Sequence, residues 1–276
     1  MLTHDQIDHY RTFGFVILPE LVSADVAALS DEFDRVLPEA FGERWPERQD
    51  DGISGHYLPA FGPRTPVSRR LAETLLPVGE ALLGAPALPW DVQEILLFAE
   101  AGLHDDFGID AKGVKLVVYL EPLRAGNGAL RLVPGSHHPE FRRSFRAWLR
   151  SHPVEDSTAL RRQVESLPCF VAETEPGDVV AFDVHTFHAS IYGRDRRQWT
   201  VTYLKEPQTE EERAAFDEVV ADELRWAAEP VDYDRDAFPL AWLPRSLRTV
   251  QAAQCPQREE RDETGRHTEG DTDLGR

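Results

Sequence analysis

Apolar residues recur along this chain with two different periods. Near the N-terminus Val26, Leu29, Phe33, Val36 and Leu37 stand three or four residues apart, which places them on one face of a helix. Ser23 is positioned to cap that helix, and Pro38 ends it or lies just past its end. Ahead of it, Thr3 and Gln6 form a capping-box pattern that opens a short helix. Gly14 can close this helix with a positive φ before the strand-like run Phe15–Leu18. The stretch Glu43–Pro66 mixes proline, glycine and charge without a period, so it reads as a long loop able to fold over a pocket. A further helix is predicted over Val67–Leu83, before Gly84 and Pro86.

Beyond Pro86 the pattern changes to short β-rich runs: Val92–Ala99, Val114–Leu120, Gly128–Val133, Phe170–Glu173, Val179–Phe182 and Trp199–Leu204. Short strands separated by turn residues predict an antiparallel sandwich or barrel. Between the third and fourth runs lies a helical insertion, Phe141–Ser151 and then Ser157–Ser166. Thr209 with Glu212 opens another helix, expected to continue through Ala228. From Arg258 the chain is charged and almost free of apolar residues, so burial cannot offset its ordering entropy. The expected organisation is one mainly β domain with flanking helices over 1–257, and a disordered tail over 258–276.

Composition narrows the function. The 276 residues carry 49 acids against 30 basic residues, a formal charge of −19, which argues against a nucleic-acid surface because phosphate binding needs clustered Lys and Arg. Two cysteines are too few for a disulfide framework or a cysteine metal cluster. No apolar run approaches the roughly 20 residues of a membrane span, and MLTHDQIDHY lacks the features of a signal peptide. A cytoplasmic protein without membrane or nucleic-acid partners is expected.

The chemistry begins at 103-LHDDFG-108. In an extended segment side chains alternate, so His104 and Asp106 point the same way and Asp105 the other. One imidazole and one carboxylate on the same side offer two metal ligands, and a 2-His-1-carboxylate triad needs one more imidazole from a neighbouring strand. Such a residue stands at the end of 176-PGDVVAFDVHTFHAS-190, where His188 follows an apolar strand. Ser190 and an arginine shortly afterwards could bind a carboxylate, the arginine in bidentate fashion. Lys115 interrupts the apolar run 114-VKLVVYL-120 and shares a face with Val117 and Tyr119. That face either lines the barrel, where the ammonium would need a carboxylate partner, or belongs to an exposed edge.

Three blocks in this order resemble the phytanoyl-CoA dioxygenase family of non-haem Fe(II)/2-oxoglutarate oxygenases: LHDDFG, 127-NGALRLVPGSHHP-139, and PGDVVAFDVHTFHAS with its following arginine. The opening LTHDQIDHYRTFGFVILPELVS is similar to the family's usual start, and the likeness continues to about Pro207. It implies a double-stranded β-helix (jelly-roll, cupin-like) core, with His104, Asp106 and His188 as iron ligands. It further implies that 2-oxoglutarate and O2 are consumed and that a small organic molecule, such as a secondary metabolite or small acid, is hydroxylated or otherwise oxidised with release of succinate and CO2. Arg197 with Ser190 would hold the distal carboxylate of 2-oxoglutarate, and Lys115 could take one of the cosubstrate or substrate carboxylates. The family's spacing from distal histidine to arginine is slightly longer, so Arg196 is the alternative. Aligning Trp199–Leu204 with the family's next strand without a gap favours Arg197. Related enzymes that halogenate lack the carboxylate ligand, so Asp106 favours hydroxylation or another oxidative outcome over halogenation.

The remaining histidines read differently. His185, three residues before His188, would face the opposite side of a strand, and His137 and His138 belong to a turn. His56, in the loop, and Tyr119 are candidate substrate contacts. A competing reading is a cupin-like metal protein without redox chemistry, an isomerase or small-molecule sensor, which has no use for Ser190 and an arginine beyond the distal histidine.

Overall fold

The computed structural model describes residues 2–42, 55–107, 111–214 and 216–218. Residues 43–54 of the expected loop, 108–110, most of the helix expected to reach Ala228, and the charged tail lie outside the described residues. Helix α1 (His4–Phe13) opens on the complete capping box of Thr3 and Gln6 and ends at Gly14, whose φ of 84° is left-handed. A Cβ at Gly14 would lie 2.5 Å from both His137 and Thr186, so only glycine fits. Its carbonyl accepts from the Asp183 N–H at 2.8 Å and the Thr186 hydroxyl at 2.9 Å. The first turn of the chain is thereby fastened to the loop that precedes His188.

Strand β1 (Phe15–Leu18) starts a six-stranded antiparallel sheet with β2 (Gly55–Pro59), β3 (Ala87–Leu97), β5 (Gly113–Tyr119), β8 (Val179–Asp183) and β10 (Arg196–Lys205), in the order β1-β8-β5-β10-β3-β2. A smaller sheet, β4-β9-β6-β7, comprises β4 (Ala101–His104), β6 (Leu130–Leu132), β7 (Phe170–Ala172) and β9 (His188–Ser190). The two form a jelly-roll core. Inward residues of both, among them Phe15, Val117, Tyr119, Leu130, Leu132 and Phe182, pack into one buried cluster. Helices α2 (Val26–Phe41) and α3 (Pro66–Leu83) flank this core, and the Tyr203 hydroxyl donates to the Ala72 carbonyl of α3. Trp199, Val201 and Tyr203 of β10 are completely buried. Helices α4 (Pro139–Ser151) and α5 (Ser157–Glu165) form the insertion between β6 and β7.

Several sequence expectations are corrected in detail. Asp25, not Ser23, occupies the start of α2, and Pro38 lies inside it. Proline removes only its own backward hydrogen bond, and the helix closes one turn later with the Gly42 N–H on the Pro38 carbonyl. Residues 55–59, expected to be loop, form β2, because pairing with β3 supplies hydrogen bonds that the local sequence does not advertise.

Behind the large sheet a carboxylate takes over a capping role. Glu32 of α2 accepts from the Val67 and Ser68 N–H groups at 2.8 and 2.7 Å, satisfying the start of α3 where Thr65 makes no side-chain cap. Ser68 also donates to Glu94, which is fully buried on β3. Burial, reinforced by nearby Glu32 against the Ser68 hydrogen bond, pushes the Glu94 carboxyl up to about 8. A raised pKa in the folded state gives a stabilising contribution that is full below the ordinary carboxylate range and lost as pH rises through the folded value. The urea midpoint is therefore expected to fall between about pH 5 and about pH 9, and Glu94→Gln should flatten this decline. An unchanged pH dependence in the variant would show that Glu94 does not carry it.

Candidate metal centre

Strand β4 pairs with β9 so that His104 lies opposite His188, and His188 lies opposite Leu132 on its other side. The imidazole centroids are 4.2 Å apart. Asp106 follows β4 after two residues, its N–H donating to the Val184 carbonyl at 2.9 Å. Its Oδ1 lies 3.9 Å from His104 Nε2 and 3.7 Å from His188 Nε2. The three potential ligand atoms fall within 4.8 Å of one another, a separation a single metal ion can bridge.

The ring orientations are set by backbone. His104 Nδ1 donates to the Gly102 carbonyl at 2.7 Å, and His188 Nδ1 to the Thr186 carbonyl at 2.9 Å. Carbonyl oxygens only accept, so each Nδ1 carries the proton and each Nε2 keeps a lone pair facing Asp106. Burial, and then His104, hold the His188 imidazole down to about 3, so it stays neutral as a metal ligand must. Burial alone would raise the Asp106 carboxyl, but the charges around it, the Lys115 ammonium foremost, outweigh it and bring it to about 2. The set is thus two imidazoles whose Nε2 atoms face one ionised carboxylate.

Lys115 faces inward, its Nζ 3.3 Å from Asp106 Oδ2. Burial opposes its charge, yet Asp106 and then Asp91 outweigh that penalty and raise its pKa. Asp105 points away from the triad and is held by Arg146 of α4, which also donates to the Phe107 carbonyl at 2.9 Å. On the other arm, Ser136 of the PGSH turn accepts from the Phe187 N–H at 2.8 Å and donates to the Val133 carbonyl at 2.7 Å, fixing the chain just before His188.

The side chain that meets Ser190 is Arg196, not Arg197. Arg196 is 2% exposed. Its Nη1 donates to Ser190 Oγ and, at 3.1 Å, to the Gly128 carbonyl, while Nη2 donates to the Ala99 carbonyl at 2.9 Å. Gly128 has φ 102°, and a Cβ there would stand 2.6 Å from Arg196 Cδ, so this glycine makes room for the guanidinium. Strand parity explains the correction. Arg196 shares a face of β10 with Gln198, Thr200 and Thr202, which stand opposite Tyr119, Val117 and Lys115 on β5. Arg197 lies on the opposite face, held by Glu121 at 2.6 Å and by Ser30 and Asp34 of α2 at 2.8 and 2.9 Å.

Of the two expected substrate contacts, Tyr119 lies in the buried interior cluster. His56 is corrected: it sits in β2 opposite Leu96, stacked on Phe41 at 4.3 Å and edge-on to Phe98 at 4.8 Å. Parity turns it away from the interior and turns Tyr57, opposite Ile95, toward it. His185 donates to or accepts from no triad member and instead engages the Ala111 carbonyl at 2.9 Å, and His137 reaches the Arg11 carbonyl at 3.1 Å. Asp91 and Gln93 of β3, overlooked in the sequence, share the interior face with Lys115.

The model of the family described as phytanoyl-CoA dioxygenase (PhyH) matches residues 10–194, a span that contains the triad and Ser190 and stops just before Arg196. No curated protein matches the chain. Among solved structures, the non-heme alpha ketoglutarate dependent carbocyclase SnoK from nogalamycin biosynthesis is 19% identical with a TM-score of 0.56, over 74% of this chain and 84% of SnoK. HygX from Streptomyces hygroscopicus, solved with nickel and 2-oxoglutarate bound, is 17% identical with a TM-score of 0.56, over 77% of this chain and 94% of HygX. EvdO2 from Micromonospora carbonacea var. aurantiaca, complexed with 2-oxoglutarate, is 18% identical with a TM-score of 0.52, over 75% of this chain and 92% of EvdO2. At these identities the structures share the fold with this chain, and the match over most of its length establishes that the chain belongs to the phytanoyl-CoA dioxygenase family.

Proposed function

We propose that the protein is an Fe(II)/2-oxoglutarate-dependent oxygenase that hydroxylates a small organic molecule. The observation that carries this reading is the convergence of two Nε2 lone pairs and the Asp106 carboxylate, with both Nδ1 protons tied to backbone carbonyls. His104, Asp106 and His188 would hold the iron. Arg196 with Ser190 would hold the distal carboxylate of 2-oxoglutarate, in place of the expected Arg197. The buried Arg196 Nε has no hydrogen-bond partner, and its guanidinium pairs with no carboxylate among the described residues, so an entering carboxylate suits it.

Bound iron and 2-oxoglutarate supply the oxidising chemistry, in which O2 is consumed, succinate and CO2 leave, and the substrate gains a hydroxyl. The chain's own part is orientation and exclusion of water. Lys115 restrains Asp106 Oδ2, which leaves Oδ1 turned toward the two imidazoles. Phe182 packs 4.7 Å from the His188 ring and, with the interior cluster, keeps the floor of the site dry. Possession of Asp106 supports hydroxylation over halogenation. The likeness to SnoK, from nogalamycin biosynthesis, supports a small-molecule substrate of the secondary-metabolite kind. The pairing of Ser190 with a buried arginine favours this reading over a non-redox cupin-like isomerase or sensor.

His104→Ala, Asp106→Ala and His188→Ala are each expected to abolish succinate formation from 2-oxoglutarate, and iron-dependent turnover retained in all three would refute the metal assignment. Under anaerobic conditions Fe(II) with 2-oxoglutarate should give the weak visible charge-transfer band of the chelate. Arg196→Gln should raise the 2-oxoglutarate concentration needed for that band by about tenfold or more while iron binding persists, as expected for losing a charge-assisted pair. Arg197→Gln should instead lower stability by about 1 kcal/mol, as for a partly exposed ion pair, and leave the cosubstrate requirement unchanged. The opposite pattern in the two variants would return the role to Arg197.

A further inference from the structure

Helix α4 carries a feature that the proposed oxygenase chemistry does not use. Arg142, Arg143, Arg146 and Arg150, together with Pro139, line a cavity of about 410 Å³. Arg142, Arg146 and Arg150 are successive i,i+4 neighbours, and like charges so placed disfavour a helix by about 0.2–0.5 kcal/mol per pair. This concentration of guanidinium occurs in a chain whose formal charge is −19. Arg146 engages Asp105, Arg142 is in electrostatic range of Asp183, whose own carboxyl is pushed up by burial, and α4 contributes Glu140 in its first turn.

We propose that this cavity binds a phosphate-class oxyanion. Guanidinium groups are suited to it, because their planar N–H forks meet two oxygens of a phosphate at once and are weakly hydrated. Several arginines around one concavity can engage more than one oxygen edge, and the bound anion relieves their mutual repulsion. The cavity also adjoins the metal centre through its supporting contacts. Arg146 holds Asp105, the neighbour of Asp106, and Phe145 packs edge-on against Phe187, the neighbour of His188, at 4.9 Å. An oxyanion seated on α4 therefore lies against the element that braces both arms of the triad.

The test is calorimetric titration of the full-length protein with pyrophosphate, inorganic phosphate and phenyl phosphate at low ionic strength. Arg143 and Arg150 are exposed, so Arg143→Gln with Arg150→Gln removes two cavity cations with little effect on folding. This pair should weaken pyrophosphate binding by about tenfold or more, as for lost charge-assisted hydrogen bonds. Arg69→Gln with Arg70→Gln, which removes the same charge from two exposed positions of α3, should leave it unchanged. Phenyl phosphate binding more tightly than inorganic phosphate would assign the site to an organic phosphate, and the reverse to the free ion. No pyrophosphate binding by the parent protein, binding unaffected by the α4 substitutions, or an equal loss from the α3 substitutions would overturn the proposal. None of these readouts requires iron or 2-oxoglutarate, so their outcome is independent of the oxygenase reading.

Discussion

The closure of β4 onto β9 is the constraint on which the candidate centre rests. That pairing sets His104 opposite His188, although the two are far apart in the chain and each strand is only a few residues long. Strands this short have little stability of their own, so they are held from outside. Gly14 grips the loop before His188 through two hydrogen bonds to its carbonyl, Ser136 holds the Phe187 N–H, and α4 braces Asp105 and Phe187. The blocks that look like separate motifs in the sequence are thus parts of one clamp.

Within that clamp, electrostatics and desolvation oppose each other and the geometry decides the result. Burial would neutralise Asp106, but Lys115 sits close enough to its second oxygen to keep it ionised. Burial also keeps His188 neutral, and the Gly102 and Thr186 carbonyls choose the tautomer of each imidazole. The outcome is an ionised carboxylate set between two imidazoles, one of them held neutral by burial, a protonation pattern suited to metal binding. Arg196 follows a related logic: its guanidinium is buried among carbonyls and a hydroxyl, where glycine at position 128 leaves it space.

The same strand alternation that made part of the site legible also explains where the sequence reading went astray. At His104 and Asp106 parity could be applied within one short segment, and it separated Asp106 from Asp105 correctly in space. At Arg196 and Arg197 an ungapped comparison with a following strand substituted for parity, and it selected the residue that faces α2. At His56 the absence of hydrophobic periodicity suggested a loop, because a strand at the edge of a sheet borrows its order from β3.

Local pattern by itself determined the helices with good caps, the β-rich middle of the chain, and the same-side placement of His104 and Asp106 that begins the candidate metal set. These features depend on residues close together in sequence, where period and capping chemistry act directly. Tertiary structure alone decided that Lys115 points inward to Asp106, that Arg196 rather than Arg197 joins Ser190, and that His56 belongs to the packing behind the sheet. Each depends on which face of a strand is turned to the interior, and that is fixed by non-local pairing and burial, since shifting a strand by one residue exchanges its two faces.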